Sequence, residues 1–292
     1  MKMFSFILTA ILISAVSFTH AQPTYVATYN IRYENSNDTR KGNGWEQRCP
    51  AVCAQINFEH PDIFGAQEVK HNQLTDMMQQ LDGYEFIGCG RDDGKQAGEY
   101  APIFYDPKTI RLLEQGHFWI SETPDTPGKG WDAACPRICT WGRFSQNSTG
   151  IQFLFFNLHL DHVGKKARSE GAKLVMEKIK QLTSDETPVI LTGDFNGDQH
   201  EEVYRFFTQS GYLSDCYEAC RIRFAENGTF NDYNQEDRND SRIDHIFVSP
   251  QYRVDRYAIF TNAYWAPKKD GSKPQRRLPS DHYPVFVHLD FK

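Results

Sequence analysis

Six stretches of the 292-residue chain begin or end an apolar run with side chains that can bind a metal, carry a proton or hold an anion. They supply Asn30, Glu68, His159, Asp194 with Asn196, Asp244, and Asp281 with His282. The stretch Pro188–Asp198, PVILTGDFNGD, shows the plan most plainly. Val189, Ile190 and Leu191 read as a buried strand, Gly193 breaks it, and Asp194 and Asn196 stand on a loop closed by Gly197. A strand end fixes such side chains while the loop leaves them reachable, as a hydrolytic site requires. Alone, this segment is equally an Asx-turn capping the next helix. Six repetitions of one plan argue for a site.

The residue types form a coherent set. Carboxylates and an amide oxygen suit a hard cation such as Mg²⁺, Mn²⁺ or Ca²⁺. Two histidines can transfer protons or hold an oxyanion. The chain has no G-x-S-x-G elbow and no Walker A loop.

Alternating elements must position these groups. Tyr25–Ile31 reads as a strand bearing Asn30, and Trp45–Phe58 as a helix that ends before His60-Pro61. Asp62–Val69 reads as a strand delivering Glu68. Residues 71–81 place Leu74, Met77, Met78 and Leu81 on one helical face. Tyr84–Cys89 and Ile103–Tyr105 read as strands on either side of a polar loop, Arg91–Gly98, with Glu99 leading into the second. Residues 121–136 are turn-rich, and loops of that length are often functional. A strand Ile151–Leu160 ends at His159, helices follow at Arg168–Leu182 and Glu201–Gln209, and strands at 242–248 and Val285–Leu289 carry Asp244 and follow Asp281-His282. Nothing splits the chain, so one α/β domain over 22–292 is expected.

Composition agrees with a substantial core, at 39% hydrophobic and 14% aromatic residues. Residues 1–21 carry Lys2, an apolar run from Phe4 to Phe18 and a small-residue cleavage site at Ala21. That pattern is a cleavable signal peptide rather than a membrane span, and it predicts a secreted or periplasmic protein with no transmembrane segment. Six of the seven cysteines fall in C-x-x-x-C pairs, Cys49/Cys53, Cys135/Cys139 and Cys216/Cys220, with Cys89 apart. In an oxidising compartment disulfides are the expectation, with at least one thiol left over. The net charge of −6 and the lack of a long basic run give tight binding of long nucleic acid no electrostatic support. The local basic patch Lys268, Lys269, Lys273, Arg276 and Arg277 reads as a solvated loop.

The ordered motifs YNIR, GAQEV, GEYAPIFY, NLHLDH, TGDFN, RIDHIF and SDHYPV resemble the endonuclease/exonuclease/phosphatase family. The resemblance spans nearly all of 22–292, and TGDFN together with SDH is its specific part. It implies a four-layered α/β sandwich, two mixed sheets face to face with helices outside, and a divalent-metal site at one edge. It makes Glu68 the primary metal ligand, assisted by Asn30 and Asp281. It makes Asp194 the group that orients or deprotonates the attacking water, and Asn196 the group that holds that water or the phosphate. His159 and His282 would contact phosphoryl oxygens, paired with Glu99 and Asp244 respectively, and such carboxylate partners favour the imidazolium. Arg32 stands where abasic-site endonucleases carry an acidic or amide residue, and His159 where they carry tyrosine. The resemblance therefore leans toward the deoxyribonuclease-, sphingomyelinase- and phosphatase-like branches.

The expected function is a secreted, Mg²⁺-, Mn²⁺- or Ca²⁺-dependent hydrolase of phosphate esters, acting as a monomer. Nucleic acid, a phospholipid head group and a small phosphate ester all remain open as substrates. The alternative is a non-catalytic binding module on the same scaffold, which predicts loss of Glu68, His159, Asp194 or His282; all four are present.

Overall fold

The computed structural model describes residues 23–184, 186–268 and 271–292. The expected leader, residues 1–21, lies outside the described residues. From edge to edge, the larger sheet runs Ile222–Phe224, Tyr252–Ile259, Val285–Phe291, Thr24–Asn30, Ile63–Gln67, Ile103–Tyr105 and Glu85–Ile87. The second sheet runs Ser214–Asp215, Asp244–Val248, Val189–Asp194, Gln152–His159, Ile138–Gln146 and Ile110–Trp119. Both are mixed. Each has a central parallel pair, Thr24–Asn30 with Ile63–Gln67 and Gln152–His159 with Val189–Asp194. These strands are apolar and buried throughout or nearly so, because each is covered on both faces.

The sheets pack face to face over a core that includes Val26, Ile63, Phe155, Ile190, Ile246 and Val285. The helices Trp45–Glu59 and His71–Gln80 cover the outside of the larger sheet through Val52, Ile56, Leu74 and Met77. Lys165–Leu182 and Glu202–Thr208 cover the outside of the second through Val175, Ile179, Val203 and Phe207. The result is the expected four-layered α/β sandwich.

A polar knot ties the sheets together below the site. Asn157 donates to the carbonyls of Ala66 and Pro102 and accepts from Gln67 Nε2 at 2.7 Å, while Thr192 Oγ donates to it at 3.1 Å. Every member is buried, and these hydrogen bonds offset the cost of taking their polar groups out of water. Gly65 makes the approach possible, since a Cβ there would lie 2.3 Å from Asn157 Oδ1.

Three differences from the sequence reading matter. The strand expected over Asp62–Val69 stops at Gln67, because Glu68 takes a left-handed conformation at φ 61°. The strands Ile110–Trp119, Ile138–Gln146 and Tyr252–Ile259 were not expected. All seven cysteines are free thiols. Cys139 packs among Phe118 and Ile120 under the outer helices while Cys135 borders the cavity described below, so those two point into different environments.

Candidate active site

The site stands at the carboxyl ends of the two central parallel pairs, where strand ends can offer side chains to a ligand. Register places three of its groups in one row across the second sheet. His159 is paired with Asp194 in the parallel ladder, and Asp194 with Asp244 in the antiparallel one. Register partners project on the same side of a sheet, so the row is fixed by backbone hydrogen bonding. The larger sheet meets it from the other side. Asn30, at the end of its strand, donates from Nδ2 to Asp194 Oδ2 at 2.9 Å and to Glu68 Oε1 at 3.2 Å. His282, just before Val285–Phe291, gives Nδ1 to Asp244 Oδ2 at 2.8 Å and sets Nε2 3.8 Å from Asp194 Oδ2.

The backbone is forced at this edge. Arg32, Glu68 and Asn196 all have positive φ, at 60°, 61° and 46°. For residues other than glycine such conformations cost about 1–3 kcal/mol each and persist where the surroundings over-determine them. Here they do. Tyr33 N–H donates to Glu68 Oε2 at 3.0 Å, and Asn196 N–H to Asp194 Oδ1 at 2.9 Å. The buried Arg48 guanidinium donates to the carbonyls of Ile31, Arg32, Asn43 and Pro279, clamping the segment after Asn30 to the one before Asp281. Gly193 is required for closeness rather than for a turn, since a Cβ there would meet the Leu158 carbonyl at 2.3 Å.

The cavity over this row has a volume of about 430 Å³. Its wall includes Glu68, His159, Asp194, Asn196, Asp281 and His282, together with Arg32, Arg91, Glu99 and Arg137. All nine residues expected at the site therefore gather within or directly behind it, Asn30 and Asp244 from below. One of them, Glu99, does not pair with His159. Arg91 takes it instead, with Nη1 at 2.8 Å and Nη2 at 3.0 Å from its two oxygens, because Arg91 and Glu99 close a loop on one another through Arg91 N–H to the Glu99 carbonyl at 3.0 Å. The nearest groups to His159 Nε2 are Asn196 Nδ2 at 2.9 Å and Asp194 Oδ2 at 3.4 Å.

The two histidines consequently differ. Burial pushes His282 down, but the carboxylates of Asp244, Asp194 and Asp281 more than offset it and leave the imidazole raised to about 10. Burial also pushes His159 down, and Arg137 and Arg91 push further in the same direction, so it falls well below its ordinary value and is neutral. The imidazolium expected at both positions is found at His282. Asp194 is raised to about 7, by burial first and by Asp244 next, against the opposing pull of His282. Asp281 is raised to about 6 by burial, and Arg32 Nη1 lies 3.2 Å from it.

Three clusters among the described residues have metal-ligand composition: Glu68 with His159 and Asp194, Asp194 with Asp244 and His282, and Cys135 with Asp161 and His162. In the second, the carboxylates already face an imidazolium. In the third, Arg137 fills the gap, with Nε 3.2 Å from Asp161 and Nη2 2.9 Å from His162. The Glu68 cluster, with oxygen donors predominating and Asp281 on the same cavity, fits a hard divalent cation. Asn30 is oriented otherwise than the resemblance implied: its Nδ2 bridges the two carboxylates, and its Oδ1 accepts from Arg32 N–H at 3.0 Å.

Residues 27–282 match the model of the Endonuclease/Exonuclease/phosphatase family. The chain belongs to that family. Its members are phosphoric-ester hydrolases. The chain is similar to an endonuclease/exonuclease/phosphatase family protein from Bacteroides thetaiotaomicron, with 50% identity, TM-score 0.90, and 93% of this chain and 99% of that one covered. It is also similar to a mannosyl-6-phosphatase from the same species, with 50% identity, TM-score 0.88, and coverage of 92% and 100%. A more distant relative is nocturnin of Xenopus laevis, 23% identical over 82% of this chain and 62% of its own length. The chain spans between 25% and 62% of the length of the curated relatives it matches.

Proposed function

We propose that the chain is an exported, divalent-metal-dependent phosphomonoesterase that removes phosphate from a sugar. The observation that carries this reading is the meeting of Asp194, His282, Asn196 and Glu68 on one cavity of about 430 Å³. The 50% identity to a mannosyl-6-phosphatase over 92% of the chain points to the sugar. The cavity is large enough for a phosphoryl group and one hexose ring, at the small end of ligand pockets, roughly 300–1,000 Å³.

The chain's own groups have distinct tasks in this reading. Glu68, with Asp281 in support, holds the cation, which when bound stabilises negative charge developing on the phosphoryl group. His282, kept charged by Asp244, donates from Nε2 to a phosphoryl oxygen. Asp194, held by Asn30 and by the Asn196 N–H, accepts the proton of the water that attacks phosphorus; a carboxyl raised to about 7 is suited to that exchange near neutral pH. Asn196, whose Nδ2 reaches the Leu160 carbonyl at 3.0 Å as well as His159, positions that water or the phosphate. His159 is neutral and serves as a hydrogen-bonding group.

The test is turnover by the chain from residue 22 on mannose 6-phosphate, 4-nitrophenyl phosphate, bis(4-nitrophenyl) phosphate and plasmid DNA. Monoesters should be cleaved at least ten-fold faster than diesters. EDTA should abolish turnover, and Mg²⁺ or Mn²⁺ should restore it. Equal cleavage of diesters, or full activity in chelator, contradicts the reading. Export predicts a mature protein beginning at Gln22, read by mass spectrometry of the periplasmic or secreted fraction.

A further inference from the structure

Beside Glu68, the cavity has a second wall formed by Arg91, Glu99, Cys135, Arg137 and His162, with Glu99 on a strand paired to Val69–Lys70. It is rigid. Arg91 clasps Glu99 with both Nη atoms, and its backbone carbonyl accepts from Trp119 Nε1 at 2.7 Å. Arg137 gives Nε to Asp161 and Nη2 to His162. Asp161 is itself fixed by the N–H groups of Gly164, Val163 and Ala134 at 2.8, 3.0 and 3.1 Å.

Two features say what such a wall would take. The first is charge. Arg91 is paired with Glu99 and, at 4.0 Å, with Asp92, and Arg137 with Asp161, so the wall has no excess positive charge to hold a second acidic group. The second is unmet hydrogen bonding. Arg91 Nε and Arg137 Nη1 are buried and make no hydrogen bond among the described residues, Arg91 Nε standing 4.0 Å from Asp92 Oδ1, and Arg137 is only 4% exposed. A buried donor left unpaired costs about 1–3 kcal/mol, so these nitrogens are set to gain when an acceptor arrives. A crevice of about 10 Å³ bounded by Arg91, Glu99, Arg137 and His159 joins them to the catalytic row. Charge-neutral polar surface with guanidinium donors beside a carboxylate acceptor matches hydroxyl groups, each of which accepts one hydrogen bond and donates another.

We infer that the Arg91–Glu99 and Arg137–His162 wall is the subsite that hydrogen-bonds the hydroxyl groups of the phosphorylated sugar and sets which sugar is accepted. The inference rests on the phosphomonoesterase reading above. The wall adjoins the row through His159, which borders the same crevice as Arg91, Glu99 and Arg137 and lies 2.9 Å from Asn196 Nδ2.

The experiment compares Arg137→Lys with the unaltered enzyme on mannose 6-phosphate, its 2-epimer glucose 6-phosphate, and 4-nitrophenyl phosphate. Lysine keeps the charge and loses the planar fork. The variant should lose about 30–100-fold in kcat/KM on the preferred hexose phosphate, chiefly through KM, as for hydrogen bonds to a charged group. Its loss on the aryl ester should be at least ten-fold smaller, and its discrimination between the epimers should shrink. If Arg137→Lys fails to fold, Arg91→Lys carries the same comparison. Equal losses on sugar and aryl esters would place the wall on the phosphoryl group and overturn the inference. So would a better than ten-fold preference of the unaltered enzyme for a hexose 1,6-bisphosphate over the 6-phosphate. An enzyme that cleaves 4-nitrophenyl phosphate and no hexose phosphate refutes the sugar subsite while sparing monoester hydrolysis, whereas inactivity on every monoester refutes both.

Discussion

His282 and His159 flank Asp194 at 3.8 and 3.4 Å, both are buried, and they differ in charge. Distance and burial therefore do not decide their chemistry. What decides it is which other groups face each ring. On the His282 side the neighbours are carboxylates, Asp244 in contact and Asp281 one residue away in sequence. On the His159 side the guanidiniums of Arg137 and Arg91 dominate, and each is already committed to a carboxylate of its own. One side thus carries a cationic ring, and the other a neutral hydrogen-bonding surface. A single strand row offers both because its ends meet different loops.

The largest expected effects come from removing Asp194 and the two histidines that flank it. Asp194→Ala and His282→Ala should each lower kcat by about 10³–10⁴, and His159→Ala by about 10², within the range for positioned acid–base groups. Circular dichroism on the same preparations should show an intact fold. The double change at both histidines should cost less than the product of the single losses, since groups acting in one step are non-additive. Losses of equal size at the two histidines would erase the functional difference between them.

Changing what faces His282 should have a smaller effect with a characteristic pH signature. In the native protein its imidazole is raised to about 10. Asp244→Asn keeps a hydrogen-bond acceptor and removes the charge, so the alkaline limb of the kcat profile should move toward lower pH by about one unit or more. Stability should follow the same sign. A raised imidazole contributes its full share below its unfolded value of about 6.5 and loses it as the pH rises through the folded value. The stability deficit of Asp244→Asn should therefore be complete at pH 6 and fade toward pH 11, as read by urea unfolding. An unmoved limb would show that Asp244 does not set the charge of His282.

The smallest effect is expected at Glu99, where the sequence reading and the structure part company. Because Glu99 holds Arg91 and not His159, Glu99→Gln should leave both limbs of the pH profile where they are and lower kcat/KM by only about 3–10-fold, the scale of one hydrogen bond. A shifted limb would restore the pairing with His159.

That mispairing shows where the sequence stopped being informative. Asn30, Glu68, Asp194 and Asp281-His282 were legible because each begins or ends an apolar run with a short polar motif, and strand ends converge in a sandwich. The partner of Asp244 was legible from the same family pattern. The partner of Glu99 depended on the Arg91–Gly98 loop folding back on itself, a tertiary event with no periodic signal. Arg137 was hidden in the same way, at the end of the turn-rich 121–136 segment, where only its contacts with Asp161 and His162 reveal a role. The strand Ile110–Trp119 escaped notice because its middle, Arg111 to His117, is largely exposed and polar at the edge of its sheet. The break at Glu68 could not be read from types alone, since its left-handed backbone is imposed by Asn30 and Tyr33.

The most direct measurement is an NMR titration of ¹⁵N-histidine-labelled, EDTA-treated protein from pH 5 to pH 10, with resonances assigned through His159→Gln and His282→Gln. The account predicts that His282 keeps both ring protons through pH 8.5 while His159 is already neutral at pH 6. Two rings titrating together near pH 6.5 would contradict it.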